Sequence, residues 1–368
     1  MLTQTSAVGG RRIRCAFVLP SFTGGGAQKV LLTFLNNIDR DRYAPSLVVF
    51  ENSGPWSGMV RTDVPVKVLG VPRLSRSLFR LRRELKQLQP DVVVSTMGYV
   101  NLGVLTLKPF LPGVRFVVRE ANTPHRAASG GLKKALFRAA YATLYPRADK
   151  VIAPTRAIAV ELSRDFAIPE DRIRVVTNPV DVAALRALAT PARRAAGNGP
   201  RFVAVGRLWA QKGYDRLLDL LAAGPADIHV TILGDGPERA RLEAKRQALG
   251  LVNRVAMPGF DPNPAAWLAG ADALILPSRW EGLPNVALEA LACGTPVITT
   301  DEVEGISEVA EHAPAGAVTI VPFGSRFTQA MLAVTPCPLG GERPALLPKS
   351  QELAAAVRDF EAVLNACL

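Results

Sequence analysis

Residues 278–296 read S-R-W-E-G-L-P-N-V-A-L-E-A-L-A-C-G-T-P, from Ser278 to Pro296. The apolar run Ala271 to Leu276 before it, closed by Pro277, has the length and composition of a short buried strand feeding a loop. Pro284 suits the first turn of a helix because its missing N–H would lack a partner there anyway, and Gly294 with Pro296 marks the far end. The spacing therefore predicts a helix over Asn285 to Cys293. Glu281 then lies in the preceding loop and Glu289 about a turn and a half inside the helix, so the two carboxylates do not share one solvated helix face. Backbone N–H groups at Leu283, Asn285 and Val286, with the positive end of the helix dipole, suit a diphosphate. A carboxylate on either side can accept hydroxyls, and a nucleotide sugar carries that pattern of sugar hydroxyls, diphosphate and ribose. An ordinary strand-loop-helix connection with an exposed Glu281 and an ion-paired Glu289 gives the same letters, so the rest of the chain has to decide.

Upstream, an alternating series starts at Arg201: strand Phe202 to Val205, loop G-R-L-W-A-Q-K-G, helix Tyr214 to Ala222, strand Ile228 to Leu233, loop G-D-G-P, helix Glu238 to Ala248, strand Val255 to Met257 and helix Pro264 to Ala269. This alternation predicts a doubly wound parallel sheet. Arg207 and Lys212 fall in the loop at the carboxyl end of its first strand, where two cations can neutralise a diphosphate leaving group. A pair of exposed cations near a helix start is the alternative. Cations there oppose the helix dipole, however, and need another reason to be present.

The first half repeats the scheme. Ile13 to Leu19 reads as a parallel strand, and P-S-F-T-G-G-G-A-Q-K-V then places Gly24, Gly25 and Gly26 before a helix from about Ala27 to Asn37, where the backbone can approach a phosphate or sugar closely. The loop lacks the Gly-Lys-Ser/Thr of a P-loop and the third glycine of a dinucleotide fingerprint, so neither an ATP nor a nicotinamide site is supported. Strand-like runs recur at Ser46 to Phe50, Val66 to Leu69, Val92 to Ser95, Val114 to Val118 and Lys150 to Ala153. Asp39-Arg40-Asp41 has the letters of a metal-binding Asp-x-Asp, but its place at a helix end reads as a solvated turn. From Ile173 the chain runs R-V-V-T-N-P-V-D, then a short helix and the Pro/Gly/Arg-rich piece T-P-A-R-R-A-A-G-N-G-P, which reads as a linker.

With 368 residues and 48% hydrophobic content, the chain can build two domains with sizeable cores. No apolar run reaches the about 18 residues that span a membrane, and the N-terminus lacks a signal-peptide core, so the chain reads as cytoplasmic. Cys15, Cys293, Cys337 and Cys367 show no zinc spacing and read as reduced structural thiols. The formal charge of +12 is uneven: residues 1–200 hold 30 Lys+Arg against 13 Asp+Glu, and the remainder 14 against 19. A basic half points to an anionic partner: nucleic acid, anionic lipid or a phosphorylated substrate. No zinc-finger spacing, aromatic-rich strand motif or dimeric basic helix supports nucleic acid. Two basic amphipathic stretches, Leu74 to Gln89 and Leu132 to Tyr145, fit either a solvated helix face or contact with lipid headgroups.

The triple glycine, G-R-L-W-A-Q-K-G, L-G-D-G-P-E-R and above all E-G-L-P-N-V-A-L-E-A-L-A-C-G-T-P-V-I resemble the family 4 retaining glycosyltransferases of GT-B fold, nearly to Val321. The interval from Glu281 to Glu289 matches that family's E-x7-E signature. The resemblance implies an α/β fold of two Rossmann-like doubly wound domains facing a cleft: residues 1–190 on the acceptor side, a linker at 191–200, a nucleotide-sugar domain at 201–349, and a C-terminal helix in 350–368 packing back on the first domain. It assigns the catalytic chemistry to Glu281, Arg207 and Lys212. Donor binding falls to Gly25, Gly26, Gly206, Arg207, Lys212, Glu281, Gly282, Leu283, Asn285 and Glu289, with Glu281 on the sugar and Glu289 on the ribose. Anomeric configuration would be retained, with no metal and no cofactor beyond the donor substrate. The chain departs from many relatives in carrying R-E-A-N-T-P-H where they place a histidine near the donor sugar, which leaves Arg119, Glu120 and Asn122 better placed than His125 on the acceptor or donor-sugar side. The expected function is transfer from a nucleoside-diphosphate sugar, UDP-linked in preference to GDP-linked, to a membrane-associated, polyprenyl-diphosphate-linked glycan or glycolipid on the inner face of the cell membrane. A soluble acceptor such as a sugar phosphate, and a non-catalytic sugar-nucleotide-binding module, are the alternatives.

Overall fold

Parallel strands covered on both faces need near-continuous apolar runs, and the runs above become two parallel sheets. The computed structural model describes residues 10–23, 25–71, 74–122, 131–193, 200–337 and 343–368. The chain divides into two compact units, one comprising Met1–Pro179 with Ala354–Leu368 and the other Val180–Leu353.

In the first unit the order is β1 (Ile13–Leu19), α1 (Gly26–Asn37), β2 (Tyr43–Val49), β3 (Val66–Val68), α2 (Leu74–Leu88), β4 (Val92–Thr96), α3 (Gly98–Leu105), β5 (Arg115–Arg119), α4 (Gly131–Leu144), β6 (Lys150–Ala153), α5 (Arg156–Phe166) and β7 (Ile173–Val175). Its sheet runs β3-β2-β1-β4-β5-β6-β7, every pairing parallel. Successive side chains of a strand point to opposite faces. Ala16 and Val18 accordingly join the core under α2 to α5, with Leu81, Leu85, Val104, Tyr141 and Leu162, while Phe17 turns to the other face. There it meets the last helix of the chain, α13 (Leu353–Asn365), whose Phe360 lies 6.1 Å from Phe17 and stacks on Phe34 of α1 at 4.4 Å. Asn365 Oδ1 accepts the Tyr43 hydroxyl at 2.7 Å, and the Glu361 carboxylate accepts the Asp39 N–H at 2.7 Å.

The second unit continues with α6 (Val182–Leu188), β8 (Arg201–Val205), α7 (Tyr214–Ala223), β9 (His229–Leu233), α8 (Arg239–Ala248), β10 (Val255–Gly259), α9 (Pro264–Gly270), β11 (Ala273–Leu276), α10 (Asn285–Ala292), β12 (Val297–Thr300), α11 (Ser307–Ala310), β13 (Val318–Val321) and α12 (Ser325–Leu332). The sheet order is β10-β9-β8-β11-β12-β13, again all parallel.

Some boundaries differ from the sequence reading. Ile173–Val175 is a seventh strand rather than the approach to a linker; only Ile173 of the three is buried, so its apolar signal was faint. The units divide at Val180, upstream of 190, because α6 packs into the second unit: Val182 and Leu185 lie against its core, and Arg186 donates to the Ala292 carbonyl at 3.3 Å. Within the expected linker, residues 194–199 lie outside the described residues, as do 338–342 of the 322–349 segment. Asp39 Oδ1 accepts the Asp41 N–H at 2.8 Å, the local turn expected of an Asp at a helix end.

The Phe360 stack predicts that Phe360→Ala lowers the stability of the first unit by about 3–5 kcal/mol. Urea unfolding monitored on that unit's transition checks this, and a loss below about 1 kcal/mol contradicts it.

Candidate active site

In an open parallel sheet the strand order reverses at one point, and ligands bind beyond the carboxyl ends of the strands there. In the second unit that point lies between β8 and β11, which pair through Ala273 with Phe202 and Leu274 with Val203. Beyond β8 runs Gly206 to Gly213, and beyond β11 runs Pro277 to Pro284. Gly213 lets the two meet: its φ is +68°, and a Cβ there would stand 2.0 Å from the Pro277 carbonyl oxygen. Arg216 of α7 holds the second loop, donating through Nε to the Pro277 carbonyl at 2.9 Å and through Nη2 to the Ser278 carbonyl at 2.8 Å. The Thr300 hydroxyl reaches that same Ser278 carbonyl at 2.9 Å.

Against this frame Lys212 Nζ donates to Glu281 Oε2 at 2.8 Å, and the Ser278 hydroxyl to Glu281 Oε1 at 2.6 Å. The two side chains are 17% and 10% exposed, so the pair is screened from water far better than a surface ion pair. Tyr214 lies beneath; burial first, then the Glu281 charge, pushes its hydroxyl well above the ordinary tyrosine range. Gly206 keeps the floor thin, since a Cβ there would be 3.0 Å from the Tyr214 hydroxyl and 3.1 Å from Lys212 Cε. Arg207 is exposed, its guanidinium 5.4 Å over the Trp209 ring. It stands at the rim rather than inside the Lys212–Glu281 cluster.

The predicted helix is present as α10, with Pro284 as its N-cap and Gly282, Leu283 and Pro284 buried in the loop before it. Asn285 and Glu289, four residues apart, are its two residues that are not buried, so they share one uncovered stripe. The Glu289 charge adds to the burial that pushes the Cys293 thiol up to about 12.

In the first unit, the side chains expected to face acceptor or sugar turn inward. Arg119 is 1% exposed and Glu120 3%. Arg119 donates to Asn178 Oδ1 at 2.5 Å, and burial lowers its guanidinium to about 10. Glu120 accepts the Tyr145 and Tyr141 hydroxyls at 2.5 and 2.8 Å and the Ala121 N–H at 3.0 Å. Asn101 links Ser95, the Arg119 carbonyl and Tyr145 beside it. Gly98 has no room for a side chain, because a Cβ would meet the Tyr141 hydroxyl at 1.9 Å. Of the three expected residues only Asn122 is exposed, and His125 lies outside the described residues. Gly24 also lies outside them; the Gly25 N–H is taken by Gln28 Oε1 at 2.7 Å, which caps α1, whose first residue is Gly26. Among the described residues no group of three or more His, Cys, Asp or Glu can hold a metal.

Both units match known families. Residues 24–184 match the model of Glycosyltransferase Family 4, and residues 190–333 that of Glycosyl transferases group 1. The chain belongs to the family 4 glycosyltransferases of GT-B fold. The chain spans 62% and 66% of the length of the first two curated relatives it matches. Among its relatives, the N-acetylgalactosamine-N,N'-diacetylbacillosaminyl-diphospho-undecaprenol 4-alpha-N-acetylgalactosaminyltransferase of Campylobacter jejuni is 27% identical over 246 residues, 66% of this chain and 66% of that protein. Among solved structures, the lipopolysaccharide outer core galactosyltransferase WaaB in its apo form has a TM-score of 0.69 at 20% identity, covering 97% of this chain and 100% of that one. Anabaena HepE in complex with UDP and glucose has a TM-score of 0.73 at 19% identity, covering 96% and 100%.

Sequence reasoning missed Ser278 as the partner of Glu281, although it opens the motif stretch, and missed the tyrosines that enclose Glu120. The one available signal was the four-residue spacing of Tyr141 and Tyr145, which puts both on one face of this glycosyltransferase's α4 and its following turn. Burial pushes the Glu120 carboxyl above its ordinary 4.5, against hydroxyl and amide donors that favour ionisation. A carboxyl raised in the folded state favours folding while protonated, and that contribution is lost as pH rises from about 4.5 through the raised folded value. Glu120→Gln stays neutral. Urea unfolding at several pH values should show the wild-type stability, relative to this variant, falling as pH rises above 4.5; a difference independent of pH overturns the assignment.

Proposed function

We propose that this glycosyltransferase moves a sugar, with retention at the anomeric carbon, from a nucleoside-diphosphate sugar to a membrane-associated acceptor. A UDP-sugar is favoured over a GDP-sugar as donor, and a polyprenyl-diphosphate-linked glycan or glycolipid is favoured as acceptor. The observation that carries the reading is the Lys212–Glu281 pair, braced by Ser278 in the switch-point crevice. Breaking a sugar–phosphate bond builds positive charge on the anomeric carbon and negative charge on the diphosphate, so a fixed cation at the phosphates stabilises the transition state more than the ground state. Lys212 fills that role with Arg207 at the rim, and the reading needs no bound metal. Glu281 accepts hydroxyls of the donor sugar, Glu289 those of the ribose, and the backbone of Gly206, Gly282, Leu283 and Asn285 lines the donor. Gly25 and Gly26 are assigned to the donor on family resemblance. The leaving phosphate takes the acceptor's proton on the face it departs from, so no enzyme nucleophile is invoked.

The acceptor class draws on the Campylobacter relative, whose name specifies an undecaprenyl-diphosphate-linked acceptor, and the donor class on the HepE complex with UDP and glucose. The basic helix α2 supports the membrane reading. Leu78, Leu81, Leu85 and Leu88 pack inward while Phe79, 74% exposed, projects beside the exposed Arg83 and Lys86, and Arg82 covers the Phe110 ring at 4.9 Å. Each such cation near an anionic surface contributes about 1 kcal/mol. Among the described residues no helix is long and apolar enough to cross a membrane, so attachment through this face would be peripheral.

Three outcomes follow. Thermal-shift screening should show stabilisation by a UDP-sugar exceeding that by a GDP-sugar. Glu281→Ala and Lys212→Ala should each lower transfer by on the order of 10²-fold or more, and full transfer by either variant sinks the site assignment. Flotation with anionic vesicles at low salt should recover the wild-type enzyme and lose the Arg83→Ala/Lys86→Ala variant; equal binding to neutral vesicles counts against membrane docking.

A further inference from the structure

Lys212 and Glu281 are 69 positions apart in the chain and stand on separate loops, so their contact depends on whatever joins those loops. The Lys212 loop has one short regular element of its own. It is one 3-10 turn, Ala210–Lys212, beginning beside the exposed Trp209 and Ala210. Arg279 supplies most of the joining. Its backbone N–H donates to the Gln211 carbonyl at 2.8 Å, and its guanidinium donates to the Ala210 carbonyl at 2.7 Å. The same guanidinium grips both oxygens of Asp215, each at 2.8 Å. Gln211 answers by donating through Nε2 to the Trp280 carbonyl at 2.9 Å. Asp215 lies in the first turn of α7, where a negative charge also meets the positive end of the helix dipole.

We infer that Arg279 is a positioning residue: clasped to Asp215, it ties the turn 210–212 to the loop 278–281 and so holds Lys212 where a nucleoside diphosphate meets it. The inference rests on the reading of Lys212 as the diphosphate cation. The clasp uses the planar fork of arginine, which addresses a carboxylate and a carbonyl together; a lysine offers a single point charge and cannot span both. Arg279 is 31% and Asp215 22% exposed. A pair this open to solvent adds little to global stability, so its loss should show in ligand binding before it shows in melting.

The test measures calorimetric binding of UDP and of GDP, without sugar, to wild type, Arg279→Ala, Arg279→Lys, Asp215→Asn, Lys212→Ala and the Arg279→Ala/Lys212→Ala double variant, with a thermal melt of each. Arg279→Ala and Asp215→Asn should weaken the nucleotide that binds about tenfold while melting within a few degrees of wild type. Arg279→Lys should not restore affinity. On the Lys212→Ala background the further loss from Arg279→Ala should vanish, the mark of two residues acting through one contact. Unchanged binding by Arg279→Ala, or losses that simply add in the double variant, overturns the clasp and leaves the donor reading standing. Failure of the wild-type enzyme to bind either nucleotide overturns both.

Discussion

A parallel sheet must be covered on both faces, and this requirement sets where chemistry can reside in the chain. Strand interiors are consumed by packing: β11 is buried along its whole length, as is β4. Polar residues that must meet a ligand are thereby displaced to the loops beyond the carboxyl ends of the strands, and the order reversal is where ligands of such sheets bind. In the second unit the loops after β8 and β11 are adjacent because their strands pair. Lys212 and Glu281 therefore come together through sheet topology, although the chain between them visits β9, β10, β11 and three helices first.

Topology brings the loops near, and close contacts fix their spacing. Gly213 contributes by having no side chain, since its backbone lies where a Cβ would collide with the Pro277 carbonyl. Arg216 and Thr300 converge on the Ser278 carbonyl and hold in place the residue whose hydroxyl orients Glu281. The same logic operates in the first unit with the polarity reversed. There the strand-end residues Arg119 and Glu120 face the core, and their partners Asn178, Tyr141 and Tyr145 close over them. A buried network of that kind is costly unless its members are satisfied. Gly98 leaves the room that the Tyr141 hydroxyl occupies, since a Cβ there would collide with it.

The legibility of each feature followed from the range of the interactions that make it. The helix in the opening stretch was readable to within a residue because Pro284 and Gly294 punctuate it locally, and α10 runs Asn285–Ala292. The alternation of strands and helices was readable for the same reason, since apolar runs and turn residues act over a few positions. Strand β7 escaped because two of its three residues are exposed, and α6 was assigned to the wrong side of the boundary because its partners lie in α9 and α10, far along the chain. Glu120 is the clearest case. Whether it faces ligand or core depends on the parity of a strand end and on tyrosines 21 and 25 residues away, and no local pattern encodes that. Ser278 was in view from the start, but its aim at Glu281 depends on the fold of a loop.

The Lys212–Glu281 contact raises the question of whether two groups already joined can serve a ligand. Counting donors and acceptors answers it. An ammonium has three N–H donors, and a carboxylate about four lone-pair directions on two oxygens. Lys212 commits one donor to Glu281, and Glu281 commits one acceptor direction on Oε2 to Lys212 and one on Oε1 to Ser278. Two ammonium donors and about two carboxylate acceptor directions remain, enough for phosphate oxygens on one side and sugar hydroxyls on the other without parting the pair. The contact also reduces the cost of an empty site. At 17% and 10% exposure, either charge alone would be poorly hydrated, and a half-buried charge without its partner is more destabilising than the pair is stabilising. The same pairing that steadies the two loops without ligand thus leaves a cation and an anion side by side, each with hydrogen-bonding capacity to spare for the proposed donor.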